Sequence, residues 1–145
     1  LEQVRSRLQA QARLGLLAVE REEDELVIRL ASQGAFRSGS AELTPEFERL
    51  INEVGAAIDA VAQRIRVEGH SDNQPVVFND TFNSNWDLSA ARASSVAAQL
   101  LAIPSLESLD IFIVGFADSV PIASNETAEG RARNRRIEIK LSDFF

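Results

Sequence analysis

The 145-residue chain contains no cysteine, so neither a disulfide framework nor a thiolate metal site can exist in it. It contains a single histidine, and no second cluster of His or Cys supports a metal site built around it. No apolar run approaches the roughly 20 residues that a membrane helix needs. No glycine-rich phosphate loop follows any expected strand, and no internal repeat or low-complexity tract is present. Basic charge is scarce as well: the formal net charge is −7. Nucleic-acid binding draws most of its affinity from neutralised phosphates. The one basic cluster, Arg131, Arg133, Arg135 and Arg136, is too local to track a duplex, so a nucleic-acid partner is set aside.

What is present suits one globular domain. An apolar fraction of 45% and a charged fraction of 26% are ordinary for a folded chain. The chain opens on leucine rather than methionine and reads as a fragment of something longer, with any targeting or membrane segment upstream. Residues 1–18 are rich in helix formers, with Leu1, Val4 and Leu8 at helical spacing and Gly15 as an interruption. This lead-in is expected either as a solvated stretch or as a movable connector or dimer contact. The division follows: a linker helix over 1–20 and a folded domain over 21–145.

Alternating Leu26, Ile28 and Leu30 predict a strand over 25–30. After a loop carrying Phe36, Thr44-Pro45 opens a helix whose stripe is Phe47, Leu50, Ile51, Val54, Ile58 and Val61. Ile65 and Val67 predict a second strand, ending at Gly69. A polar loop over 70–86 follows, long enough to suggest function. A helix is then expected over 88–102, capped by Asp87 or a neighbour and closed by Pro104. The continuous run Ile111-Phe112-Ile113-Val114 predicts a central strand covered on both faces. A short helix near 127–134 and an alternating strand over 136–141 complete the chain. The order βαβαβ(α)β predicts an α+β fold, a two-layer sandwich with the helices on one face of a four-stranded mixed sheet.

Catalysis finds little support. His70, Ser71 and Asp72 are consecutive, and neighbouring side chains on an extended segment point to opposite faces, so they cannot converge as a triad. His70 is read instead as a packing or hydrogen-bonding residue at a strand end. No acidic residue sits in an apolar context that would plainly raise its pKa for glycosidic chemistry. There remain Asp72 at a strand end and Arg92 on the next helix, which face one another across a shallow cleft if the helix packs back. They form either an ordinary ion pair or the two ends of a clamp for a zwitterionic ligand.

Three motifs carry a resemblance: Gly69-His70-Ser71-Asp72-Asn73, Asn85-Trp86-Asp87-Leu88-Ser89-Ala90-Ala91-Arg92-Ala93, and Gly130-Arg131-Ala132-Arg133-Asn134-Arg135-Arg136-Ile137-Glu138. Together, over residues 26–141, they resemble the OmpA-like peptidoglycan-binding domain. The loop between Asp72 and Asn85 and the Asn-Trp-Asp-Leu-Ser form of the second motif are similar to the MotB-type stator subunits of the flagellar motor. So is the segment from Phe36 through Gly39-Ser40-Ala41-Glu42-Leu43.

The resemblance implies non-catalytic binding of the peptidoglycan stem peptide, through diaminopimelate, without cofactor or metal. Asp72 would receive the ligand ammonium and Arg92 its carboxylate, since a guanidinium forks onto a carboxylate and Asp only accepts. Asn85 would add amide hydrogen bonds, the loop around Phe36 backbone groups, and one of Arg135 and Arg136 a buttress. Ser71 keeps the hydroxyl of the threonine usual in the family. The resemblance further implies a homodimer and a periplasmic domain of a protein anchored in the inner membrane, with a MotA-like channel partner. Other wall tethers of the same fold (an outer-membrane lipoprotein, a porin tail, a secretion-system anchor) are the alternative, and a wall-processing enzyme a more distant one.

Overall fold

The structure, a computed structural model, describes residues 2–59, 64–76 and 81–142. Two short helices, α1 (Glu2–Arg7) and α2 (Gln9–Arg13), lead into a hairpin of β1 (Leu17–Glu22) and β2 (Glu25–Ala31). Helix α3 (Pro45–Ile58), β3 (Arg64–His70), α4 (Asn85–Leu101), β4 (Asp110–Ala117), α5 (Ala128–Asn134) and β5 (Arg136–Ser142) follow. The five strands form one sheet in the order β1-β2-β5-β3-β4, antiparallel throughout except for the parallel pair β3–β4. This is the expected α+β class, with one strand more than the sequence suggested.

The extra strand is β1. Its alternation is broken by the run Glu20, Arg21, Glu22, so periodicity alone does not reveal it, and it pairs because the β2 edge lies open beside it. It also runs across residue 20, where the linker was expected to end. The lead-in is helical over a shorter stretch than 1–18, and although most of its side chains are exposed, it is anchored to the domain. Val4 and Leu8 are fully buried in the common core, and Arg7 donates to the carbonyl of Ala57 on α3.

One face of the sheet supplies the core. Leu26, Ile28 and Leu30 from β2, Ile65 and Val67 from β3, and Ile137, Ile139 and Leu141 from β5 are buried against the stripes of α3 and α4. Helix α3 begins as its sequence dictates: the Thr44 hydroxyl accepts from the amide of Phe47, and Pro45 takes the first helical position. Its expected stripe is buried from Phe47 to Ile58; Val61 lies outside the described residues. Helix α4 starts three residues earlier than expected, because Ser84 and not Asp87 is the cap.

The helix-linked strands β2 and β3 do run in the same direction, but β5 inserts between them, antiparallel to both. The second correction concerns β4. The apolar run over 111–114 is not a central strand covered on both faces; it is the edge of the sheet, with Phe112 49% and Ile113 45% exposed. Hydrophobicity reported burial on one side, under α4, and the other side has no layer over it among the described residues.

Close contact between α4 and the β3–β4 pair places everything that follows. A Cβ on Gly69 would stand 2.0 Å from the carbonyl oxygen of Ser89, and one on Gly115 2.6 Å from the amide of Ala90. Only glycine lets the helix start press onto the strand ends at this distance. Ser89 then accepts from the amide of Ala117 with its hydroxyl, where the strand pairing shifts register beside His70.

Candidate functional site

At the carboxyl ends of β3 and β4, a cleft of about 390 Å³ opens between the start of α4, the loop after β3 and the loop after β2. Asp72, Ser71, Asn85, Arg92 and Arg135 line it, together with Ser38, Gly39 and Gln74. Asp72 and Arg92 therefore share one cleft, as their spacing allowed, and they are not ion-paired to each other.

Asp72 is buried, and its carboxylate is already occupied on two sides. One oxygen accepts from the amide of Gln74 at 3.0 Å, and the other from Arg135 Nη1 at 2.6 Å. Arg135 is thus the arginine that buttresses the site. Arg136 does not reach the cleft: it lies on the far face of the sheet, bonded to Glu138 and to the carbonyls of Asn134 and Val120. Alternation along β5 decides this, because successive residues point to opposite sides.

Arg92 has no carboxylate partner among the described residues. Its Nε donates to the carbonyl of Ser40 at 2.8 Å, and its guanidinium carbon stands 4.7 Å from the centre of the Phe36 ring. Burial, and secondarily the charge of Arg135, lower its pKa from the usual arginine value. The Phe36 segment thus gives Arg92 an aromatic face and a backbone carbonyl. Phe36 is itself held by the ring of Phe47 at 5.5 Å and by a bridge to Leu43.

Asn85 sits at the first position of α4 and ties the loop down, donating to the carbonyl of Gln74 at 2.7 Å. The Ser71 hydroxyl donates to the carbonyl of Asp72. The cleft therefore holds one carboxylate and two guanidiniums, a surplus of one positive charge.

Two features escaped the sequence reading. Asn134 is fully buried, and its side chain makes four hydrogen bonds. Its oxygen accepts from the amides of Ile122 and Ala123, and its nitrogen donates to the Ala123 carbonyl and the Asn125 side chain. It fixes the loop before α5 and so sets where Arg135 emerges. Only its place in the third motif hinted at it.

The second is a charged layer on the sheet face away from the helices. Glu68, Glu138, His70 and Arg136 are buried there, beneath the longer side chains of Arg29, Arg66 and Lys140. The register sets Glu68 opposite Glu138 and Arg66 opposite Lys140, so opposite charges pair diagonally. Glu68 meets Arg66 at 2.7 Å and His70 Nε2 at 3.0 Å, and Lys140 Nζ stands 3.3 Å from Glu68 and 3.6 Å from Glu138. Burial alone would raise the Glu68 pKa, but hydrogen bonds from His70 and Arg66 and the charge of Lys140 hold it down at about 2. Glu138 is lowered in the same way by Arg136 and Arg29 against its own burial. The alternation of charge in Arg136, Glu138 and Lys140 was the available signal.

Ligand atoms of Glu68, His70 and Glu138 lie within 4.8 Å of one another, which invites comparison with a metal centre. The arrangement does not suit one, because the Lys140 ammonium already stands against both carboxylates. His70 faces Glu68 and stacks on Phe116 at 5.0 Å, while Asp72 bonds Arg135, so the three consecutive residues form no triad.

Residues 35–135 match the OmpA family. The chain belongs to that family. Among its relatives, Motility protein B of Bacillus subtilis is 36% identical over 80% of this chain and 44% of its own length. The peptidoglycan-binding protein ArfA of Mycobacterium tuberculosis is 38% identical over 74% of this chain and 32% of its own. The chain thus spans less than half of either relative. Among solved structures, the cell wall anchor of the type VI secretion system from Pseudomonas aeruginosa superposes with a TM-score of 0.86 at 36% identity, over 96% of both chains. A MotB-like protein from Desulfovibrio vulgaris does so with 0.85 at 26% identity, over 97% of this chain and 90% of its own. The chain is an OmpA-like domain, similar both to MotB proteins and to a secretion-system cell wall anchor.

Proposed function

We propose that this domain anchors a larger cell-envelope protein to peptidoglycan by holding a stem peptide in the Asp72–Arg92 cleft, without chemical turnover. The observation that carries this reading is the Arg92 guanidinium, partly desolvated, set over the Phe36 ring and lacking a carboxylate partner among the described residues. Such a group is complementary to an incoming carboxylate, which it would meet with its planar fork. Asp72, positioned by Arg135 and the Gln74 amide, offers its remaining lone pairs to an ammonium. A ligand carrying both groups, such as the free end of diaminopimelate, satisfies the cleft at both ends. Names borne by relatives (a motility protein, a peptidoglycan-binding protein, a cell wall anchor) agree with such a role.

In the first reading the larger protein is a flagellar stator subunit of the inner membrane. It would act in the periplasm as a homodimer beside a MotA-like channel partner, and the wall would hold the stator against torque. A specific observation favours a second reading, a secretion-system anchor: that structure is 36% identical to this chain over 96% of its length, against 26% for the MotB-like structure. No described helix is long and apolar enough to cross a membrane, so both readings place the membrane attachment in another part of the protein.

Co-sedimentation with purified sacculi tests the proposal. The wild-type domain should pellet with the wall and be released by soluble stem peptide. Arg92→Ala and Asp72→Ala should each weaken retention by about 1–3 kcal/mol, roughly five- to 150-fold, for a lost charge-assisted contact. Wild-type retention in both variants would overturn the clamp, and muropeptides released from the sacculi would overturn the non-enzymatic role.

A further inference from the structure

The arginines around the start of β5 diverge. Arg135 enters the cleft, whereas Arg133 and Arg136 line a second cavity of about 350 Å³ on the sheet face away from the helices. The two cavities share no lining residue. Leu16, Ala18, Ala31 and Ile122 supply the apolar wall of the second. Its surroundings are apolar too: Leu14 is 75%, Leu16 46% and Val120 44% exposed, and the Val120 carbonyl holds Arg136. Of the cations in the lining, Arg29 and Arg136 are taken up by Glu20, Glu22 and Glu138. Arg133, exposed in the last turn of α5, has no acidic partner among the described residues, and neither has Arg13 at the end of α2. Beside the cavity the sheet ends at β1, and no described strand pairs with its outer side. The first half of that strand, Leu17-Ala18-Val19, carries no charge, while Glu20, Arg21 and Glu22 fill the second. Charges on an edge strand discourage a further strand from adding to it, so only the half next to the cavity is open to one.

We infer that this cavity and the adjoining half of β1 form a docking site for an extended segment of a partner protein, one that carries a large apolar residue and an acidic residue two positions apart. Each part of such a segment meets one feature of the site. Its backbone pairs with the N–H and C=O groups that face outward along β1. Side chains alternate along a strand, so residues two apart reach the same face. There the apolar one enters the cavity, whose size suits a side chain, and the acidic one meets the Arg133 guanidinium. Charge selects the partner. The chain carries −7 overall, yet the charges without partners around this cavity are Arg13 and Arg133, so an acidic segment is attracted here and a basic one is not. A partner docked in this way leaves the Asp72–Arg92 cleft open. The inference does not rest on wall binding, and its failure would leave that reading intact.

Titration of the isotope-labelled whole chain with the peptide acetyl-Thr-Asp-Thr-Leu-Thr-Asp-Thr-amide, followed by amide chemical shifts, tests it. Saturable shifts should centre on Leu16 to Val19, Ile122 and Arg133. Replacing the peptide's leucine by alanine, or both of its aspartates by lysine, should weaken binding about tenfold or more. Arg133→Glu in the protein should do the same and leave retention on sacculi unchanged. Arg49→Glu, an equal change of charge on α3, should leave peptide binding as it is. Arg133 and Arg49 are both exposed, and far-ultraviolet circular dichroism verifies the folding of each variant. Absence of saturable shifts up to about 10 mM peptide, or shifts centred elsewhere on the surface, would overturn the inference. So would equal binding of the lysine peptide, or undiminished binding by Arg133→Glu. The same shifts appearing with protein concentration alone would give the site to a second copy and overturn it as well.

Discussion

Replacing Arg92 by methionine should separate binding from stability, with effects of very different size. The substitution keeps an unbranched stem for packing along α4 and deletes the charge. It removes the hydrogen bond from Nε to the Ser40 carbonyl and the contact with Phe36, together worth about 2 kcal/mol. Against this, it abolishes the burial of a cation that has no counter-ion among the described residues and stands near a second cation, Arg135. Ser40 is only half-buried, so water can take over its carbonyl. The two sides nearly cancel, and the stability change should lie within about 1 kcal/mol, a Tm shift of no more than ~4 °C for a domain of this size. Binding has no such compensation. The ligand carboxylate loses a bidentate, charge-assisted partner worth about 3 kcal/mol, and retention on sacculi should fall about 100-fold. Arg92→Lys, which keeps the charge and loses the fork, should fall between, at about tenfold. Urea unfolding and sacculus titration of the same preparations provide both numbers. If the methionine variant loses more than ~3 kcal/mol of stability, Arg92 is a strut of the fold and the clamp reasoning fails.

The buried charge layer predicts acid sensitivity. Glu68 titrates at about 2 in the folded chain against 4.5 when unperturbed. Its contribution, on the order of 3 kcal/mol, is therefore complete above about pH 4.5 and lost as the pH falls through about 2. Glu68→Gln should flatten urea-derived stability across that window; an unchanged pH profile would show that the layer is screened. Gly69→Ala should cost more than about 2 kcal/mol, because the new methyl group meets the Ser89 carbonyl at 2.0 Å. Thermal unfolding reads this directly, and a wild-type Tm would mean that α4 can move off the sheet freely.

Spacing points to Asp72 and Arg92, and the resemblance adds Asn85; all three line or brace one cleft. Local chemistry brings them together, since Gly69 ends in a tight approach and Ser84 starts a helix whose first turns face the strand end. The choice between Arg135 and Arg136 was not legible, although strand parity separates them, because the point where β5 begins depends on α5 and on the buried Asn134. The Arg135–Asp72 pair joins residues 63 positions apart, and no local pattern encodes such a distance.

Taken alone, the sequence determined the elements with strong periodicity: β2, α3, β3, α4 and β5, their order, and the polar loop between Asp72 and Asn85. Those follow from side-chain spacing and capping, which act over a few residues. Tertiary structure alone decided that β5 sits at the centre and β4 at the edge, that α1 and β1 join the core, and that the partner of Asp72 is Arg135 and not Arg92. The physical reason is the same in each case. Hydrophobicity reports whether a residue is buried, and never by which neighbour; the neighbour is settled only when the sheet has chosen its order.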